Sequence, residues 1–305
     1  MILTGFFLLN FFDYLHTFPL TTLVIFGDGH SDTGNVYNLT QQQWPLVPPY
    51  YQGRFCNGPI WVDYLNVPNI YNYAYGDALI DNYDLITGFT GPDQIAVPGI
   101  RDQLAIYLTI HNIATSDLSD QLHIIWSSGK EYFVHSGISA DIVVDHILFA
   151  VQELLTVGIR QFLLVNLPPL QFYPGMNEDV NLTALVLKHN EYLLSNVTMI
   201  RMLYPQVSIE IFDLHSFIIN LLLSNDSKKN LNPLKCCWTL LNYSIDSSCS
   251  NPDQYLFLDQ FHFTSTIHRQ IADSIKPYLC IRSSSDCLIF PKYSLWILMF
   301  FLIRR

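Results

Sequence analysis

Short apolar, β-branched runs recur along the chain at residues 23–26, 70–74, 122–127, 162–166 and 207–212, and each has the length of a strand buried on both faces. Longer stretches between them carry apolar residues at helical spacing, near 59–65, 100–111, 140–157 and 178–203, with a last one at 264–275. Gly158 follows the third of these where a helix C-terminus favours glycine, and Pro205 stops the fourth. Strand alternating with helix predicts an α/β domain: one parallel sheet, crossover helices on both faces, and no linker or internal repeat to divide it. Polar, glycine-rich segments follow the first three strands directly: GDGHSDTGN, YGDA and SGKE. With a strand order of 2-1-3-4-5 these three loops meet at the carboxyl edge of the sheet, where open α/β sheets bind ligands.

Composition sharpens this picture. The chain has 305 residues, 50% of them hydrophobic and 13% charged, which fits a globular fold and excludes a disordered one. Its formal net charge of −11, with no basic run beyond Arg304-Arg305, excludes a nucleic-acid partner, because phosphate binding needs clustered Lys and Arg. The apolar opening MILTGFFLLNFF is sized for a signal-peptide core, so residues 1–20 are expected to be a leader and 21–281 the folded domain. That leader lacks a basic n-region and a clear small-x-small cleavage site. Asn38, Asn181, Asn196, Asn225 and Asn242 each open a glycosylation triplet, and Cys236, Cys237 and Cys249 crowd a polar stretch where a local disulfide can close a loop. Both point to a secreted or extracellular protein. Residues 282–305 form a Ser-containing spacer and an apolar tail, LWILMFFLI, too short to cross a bilayer, which takes about 20 residues. The tail suggests membrane contact, and it loosely resembles a lipid-anchor attachment signal, although the terminal arginines and its shortness count against that. No C-x-x-C pair is present, and His30 between Asp28 and Asp32 has the look of a polar turn, so no metal or other cofactor is expected.

The ordered motifs carry a family resemblance. Residues 26–35, FGDGHSDTGN, resemble the first block of GDSL (SGNH) ester hydrolases, G-D-S-x-S-D-x-G-N. YQGRFCNGPIWVDYL at 51–65 resembles a segment of the same family, most of all in its fungal branch. NYAYGDA at 72–78, VPG at 97–99, NLPPL at 166–170 and YLFLDQFHFT at 255–264 follow in the family's order. The resemblance spans roughly residues 22–280. It implies a three-layer, flavodoxin-like α/β fold with five parallel strands, and serine-based acyl transfer on lipid or acetylated-carbohydrate esters. In that chemistry a serine attacks the carbonyl, a histidine takes its proton and an aspartate orients the histidine. Asp259 and His262 match the acid and the base, and Gly76 matches a glycine whose N–H helps to hold the oxyanion.

The departures from the family pattern fall on the chemistry itself. Gly29 stands where the nucleophilic serine belongs, and Lys130 stands where an asparagine side chain completes the oxyanion hole. Ser128 replaces that block's glycine, Leu258 the tryptophan before the acid, and Phe263 the proline after the base. Loss of the nucleophile costs about 10⁶ in kcat in a well-studied serine protease, and loss of one oxyanion donor about 10²–10³. The expectation is therefore a hydrolase fold whose turnover is lost or severely impaired. Weak hydrolysis through a water activated by His262, or through Ser31, is the alternative, and a non-catalytic secreted binding protein is the third reading.

Overall fold

The computed structural model describes residues 20–111, 118–135, 137–176, 182–223 and 232–280. Residues 1–19 of the expected leader and the apolar tail lie outside these residues, as do Asn181 and Asn225.

The five apolar runs form one parallel sheet. Its strands are β1 (Thr22–Gly27), β2 (Asn69–Asn72), β5 (Gln121–Trp126), β6 (Gln161–Val165) and β7 (Ser208–Phe212), in the order β2-β1-β5-β6-β7. Among the sheet strands in chain order this is the expected 2-1-3-4-5. β1 is buried throughout, as a strand with neighbours on both sides and helices on both faces must be. Two short helices, α1 (Asn35–Leu39) and α3 (Glu131–Val134), follow the first and third of these strands. The crossovers are α2 (Ile100–Ile110), α4 (Ala140–Thr156) and α5 (Leu182–Leu203), with α4 packed between the other two. α7 (Ser265–Cys280) packs against a single 3₁₀ turn at Trp61–Tyr64, and these two form the other layer. The stretch near 59–65 is thus one tight turn and not a longer helix, and Tyr64 joins it to α7 through a 2.9 Å bond between its hydroxyl and that of Ser265.

Several elements were absent from the sequence expectation. α6 (Leu214–Leu223) follows β7 directly. Two antiparallel hairpins are present, β3 (Gly88–Thr90) with β4 (Ile95–Val97) and β9 (Trp238–Leu241) with β10 (Ser244–Ser248). β8 (Asn232–Cys236) pairs in parallel with β11 (Tyr255–Phe257). The local disulfide joins Cys237 to Cys249, closing the second hairpin at its base.

The end of β1 is fixed by backbone contacts that place the site. The Gly27 N–H donates to Gln103 Oε1 and the Gly27 carbonyl accepts from Gln103 Nε2, both at 2.9 Å. A side-chain carbon at Gly27 would stand 2.7 Å from the Trp126 carbonyl oxygen of β5, so only glycine lets the strands lie this close as the chain turns into Asp28.

Candidate active site

Asp259 and His262 lie on the turn between β11 and α7. The spacing of three residues lets one carboxylate organise the whole turn. Asp259 Oδ1 accepts from the main-chain N–H of Phe261 at 2.9 Å and of His262 at 2.8 Å, while the His262 ring Nδ1 lies 2.9 and 3.0 Å from the two carboxylate oxygens. The other oxygen also accepts from the Tyr50 hydroxyl at 2.7 Å. Burial works against the Asp259 charge. The neighbouring His262 charge and the bonds from His262, Tyr50 and the Phe261 N–H outweigh it and hold the carboxyl below its ordinary value. Burial likewise opposes the imidazolium, but Asp259 raises His262 above the usual histidine range, with Asp77 and Asp28 adding to the effect. The carboxylate fixes Nδ1 as the bonded nitrogen, so Nε2 is the one turned to the site.

Nε2 faces Gly29. A side-chain carbon built on Gly29 would stand 2.6 Å from His262 Nε2, 3.2 Å from its Cδ2 and 3.7 Å from Phe55 Cδ2. Base and nucleophile position are therefore brought together, but the imidazole, stacked on Phe55 with 5.1 Å between ring centroids, occupies the space a serine would need. Gly29 is not among the left-handed residues of the chain, so its backbone alone does not forbid a side chain.

The remaining site residues fall around it with different partners from those the resemblance implied. The Gly76 N–H donates to Asp32 Oδ2 at 2.8 Å, and a side-chain carbon at Gly76 would collide with the Phe55 ring. Gly76 thus makes room for Phe55, and its N–H is engaged with a buried carboxylate. That carboxylate also accepts from the N–H groups of Gly34, Asn35 and Val36, and burial pushes it up to about 6 in spite of them. Lys130 reaches Asp77 in an ion pair, so the cation at the asparagine position is matched by a carboxylate from the loop after β2. Ser31 is fully buried, its hydroxyl accepting from Trp61 Nε1 at 3.2 Å. It does not line the site.

Tyr50 and Asp77 were not singled out in the sequence, Ser128 was marked only as the replacement of a glycine, and Asp28 only as a neighbour of His30 in a polar turn. Ser128 donates to Asp28 Oδ2 twice, from its main-chain N–H at 2.8 Å and from its hydroxyl at 2.5 Å. Tyr50 sits just ahead of the GRFCNGP segment, and nothing in its spacing marks it; long-range packing brings it to Asp259.

A cavity of about 470 Å³ connects these groups: Asp28, Gly29, His30, Asp77, Ser128, Lys130 and His262 line its polar floor. Phe133, Val134, Tyr173, Met176, Leu182 and Phe261 form the apolar wall, with Val134 and Phe261 exposed at its mouth. The loops after β1, β2 and β5 all contribute, as their place at the carboxyl edge demands. An apolar wall over a small set of polar groups suits an acyl chain carrying one polar function. Away from it, Asp81, Asp84 and His146 are, among the described residues, a group close enough to hold an ion, but Arg101 already pairs with both carboxylates.

The GDSL-like lipase/acylhydrolase family profile matches residues 23–275. The thermolabile hemolysin of Vibrio parahaemolyticus is 25% identical over 298 residues, covering 87% of this chain and 68% of its own. The phosphatidylcholine-sterol acyltransferase of Aeromonas hydrophila is 28% identical over 201 residues, covering 63% of this chain, and the matched part spans only 58% of the acyltransferase. Among solved structures, a lipolytic protein of the G-D-S-L family from Veillonella parvula matches with a TM-score of 0.47 and 12% identity, over 84% of this chain and 96% of that one. With a five-stranded parallel sheet in the expected order and a family match across nearly all of the described residues, the chain belongs to the GDSL-like lipase/acylhydrolase family.

Proposed function

We propose that this protein is a secreted member of its family that binds esters, of lipids or acetylated carbohydrates, and does not turn them over by the serine route. One observation carries the reading: His262 Nε2 faces Gly29, with a would-be side-chain carbon 2.6 Å away, so the base is in place and has nothing to deprotonate. The oxyanion side is equally altered, since Lys130 is committed to Asp77 and the Gly76 N–H to Asp32. The cavity is retained, and its apolar wall favours an acyl group over a bare sugar. A lipid ester is the stronger candidate, in keeping with the name of the Aeromonas relative. The Cys237–Cys249 disulfide and the exposed sequon residues Asn38 and Asn242 support an extracellular setting.

The test is twofold. A long-chain methyl ketone, which has the carbonyl of an ester and no leaving group, is expected to bind the purified protein at equilibrium. Multiple-turnover hydrolysis of short-chain p-nitrophenyl esters is expected to be absent. Failure to bind a panel of such ketones and of acetylated oligosaccharides would remove the reading.

A second reading, weak hydrolysis by a water at His262, is favoured by the intact Asp259–His262 pair and by the raised imidazole. It requires slow turnover that disappears in His262→Ala. Ser31 as a substitute nucleophile is disfavoured by its burial and its bond from Trp61.

A further inference from the structure

The cavity holds a hydroxyl–carboxylate pair that the family scheme does not use. Ser128 occupies the position of a glycine in the family's third block, so the hydroxyl is an addition of this chain. It lies at the cavity floor, partly exposed, with its Oγ donating at 2.5 Å to Asp28 Oδ2. Asp28 is buried and accepts from the Ser128 and His30 main-chain N–H groups as well. A serine hydroxyl bonded to a buried carboxylate, facing a cavity shaped for an acyl group, has the arrangement of an activated nucleophile and its base.

We propose that Ser128 is an acyl acceptor, with Asp28 as its general base. The inference rests on the reading of the cavity as an ester site. In the step, Ser128 Oγ bonds to the ester carbonyl carbon as its proton passes to the Asp28 carboxylate. The bond from that carbon to the alkoxy oxygen then breaks, and the departing alkoxide takes the proton from Asp28. The products are acyl-Ser128 and an alcohol, with Asp28 returned to its starting form. Burial raises the Asp28 carboxyl above its ordinary value, with the Ser128 bonds pulling the other way, and this brings its basicity nearer to what proton abstraction at neutral pH needs. Lys130, two residues on, lines the same cavity but is paired with Asp77, so the oxyanion gains no free cation from it. The main-chain N–H of Ser128 is engaged with Asp28, which makes this a slow acceptor compared with a serine set in a complete oxyanion hole.

The experiment uses the full chain and p-nitrophenyl butyrate, read by p-nitrophenolate release, intact mass and peptide mapping. The expected result is a slow burst approaching one p-nitrophenolate per chain, with a single butyryl group mapped to Ser128. Ser128→Gly, which restores the family's residue, loses the burst, and Asp28→Asn slows it by about 10²-fold, the scale of general-base assistance. Mapping on the unmodified protein decides the matter even where a variant folds poorly. A butyryl group found elsewhere overturns the inference. So does the absence of any adduct in protein that still binds the methyl ketone, which leaves the cavity reading standing. Loss of ketone binding as well removes both together.

Discussion

At the scale of single residues, the site separates what orients chemistry from what performs it. Asp259 is tied by Tyr50, by two main-chain N–H groups and by His262, which is more support than a relaxed loop carboxylate receives. Tyr50→Phe removes the hydroxyl donor from this buried carboxylate and is expected to cost on the order of 1–3 kcal/mol of stability, measured by denaturant unfolding. Asp259, freed of one bond that lowers it, should also titrate higher. The sign of its linkage follows: a carboxyl held low in the fold stabilises above its unfolded value and loses that contribution as pH falls through the folded one. His262, held high, stabilises below its unfolded value and loses the contribution as pH rises through the folded one. Asp259→Asn abolishes both effects, and the His262 titration, followed by NMR, is expected to move down.

At the scale of elements, the end of β1 is the point on which the cavity hangs. Gln103 reaches across from α2 to bond both the N–H and the carbonyl of Gly27, and both groups are buried. Gln103→Ala leaves the Gly27 N–H without the Gln103 acceptor and its carbonyl with only the Tyr75 N–H at 3.2 Å, and is expected to destabilise the fold by on the order of 1–3 kcal/mol, again read by denaturant unfolding. Reduction of Cys237–Cys249, which closes a loop of 12 residues in sequence separation, is expected to lower stability by about 2–4 kcal/mol. Much of this architecture was legible in the chain. All five sheet strands and the principal crossover helices follow from apolar runs whose length and periodicity differ between strand and helix, whereas the order 2-1-3-4-5 comes from the common doubly wound arrangement that the family resemblance implies. The hairpins β3–β4 and β9–β10 were not legible, because three- to five-residue strands carry too few positions to show a period. α6 was missed because Leu214–Leu223 is mostly apolar and only Asp213, which accepts from the Ser216 N–H at 3.0 Å, separates it from β7. In the site, the family resemblance marked Gly29, Asp259, His262, Gly76 and Lys130. Ser128 was legible only as a lost glycine, since its pairing with Asp28 depends on two strands lying side by side.

At the scale of the whole molecule, buried titratable groups set how the fold responds to pH. Burial lowers His123, His189 and His268 to about 3 and holds His30 well below its ordinary value, so all four are neutral in the fold. Each takes up a proton more readily when unfolded, so each loses stability as pH falls below about 6.5. Asp32, pushed up to about 6, and Glu131, pushed up to about 7 by burial, act in the opposite sense and favour the fold at mildly acid pH. Asp28 and His262, also raised, act with these two, and His215, lowered by burial, acts with the other histidines, so five lowered histidines against four raised groups leave net acid destabilisation. The thermal midpoint is expected to fall between pH 7 and pH 5. His268→Phe should flatten that fall, because neither ring nitrogen of His268 has a hydrogen-bond partner among the described residues and the ring is fully buried. The same fold that shelters these histidines encloses the cavity at Gly29 and His262, which we propose is a hydrolase cavity without its nucleophile. This proposal is tested most directly by steady-state hydrolysis of a short-chain p-nitrophenyl ester by the parent, Gly29→Ser and Gly29→Ser/Lys130→Asn. The parent is expected to show no multiple turnover. Gly29→Ser should gain it modestly, because the His262 ring must retreat by several tenths of an ångström to admit the serine, and the double variant should gain about 10²-fold more. A parent that already turns over ester, with that activity abolished by His262→Ala, would contradict the account.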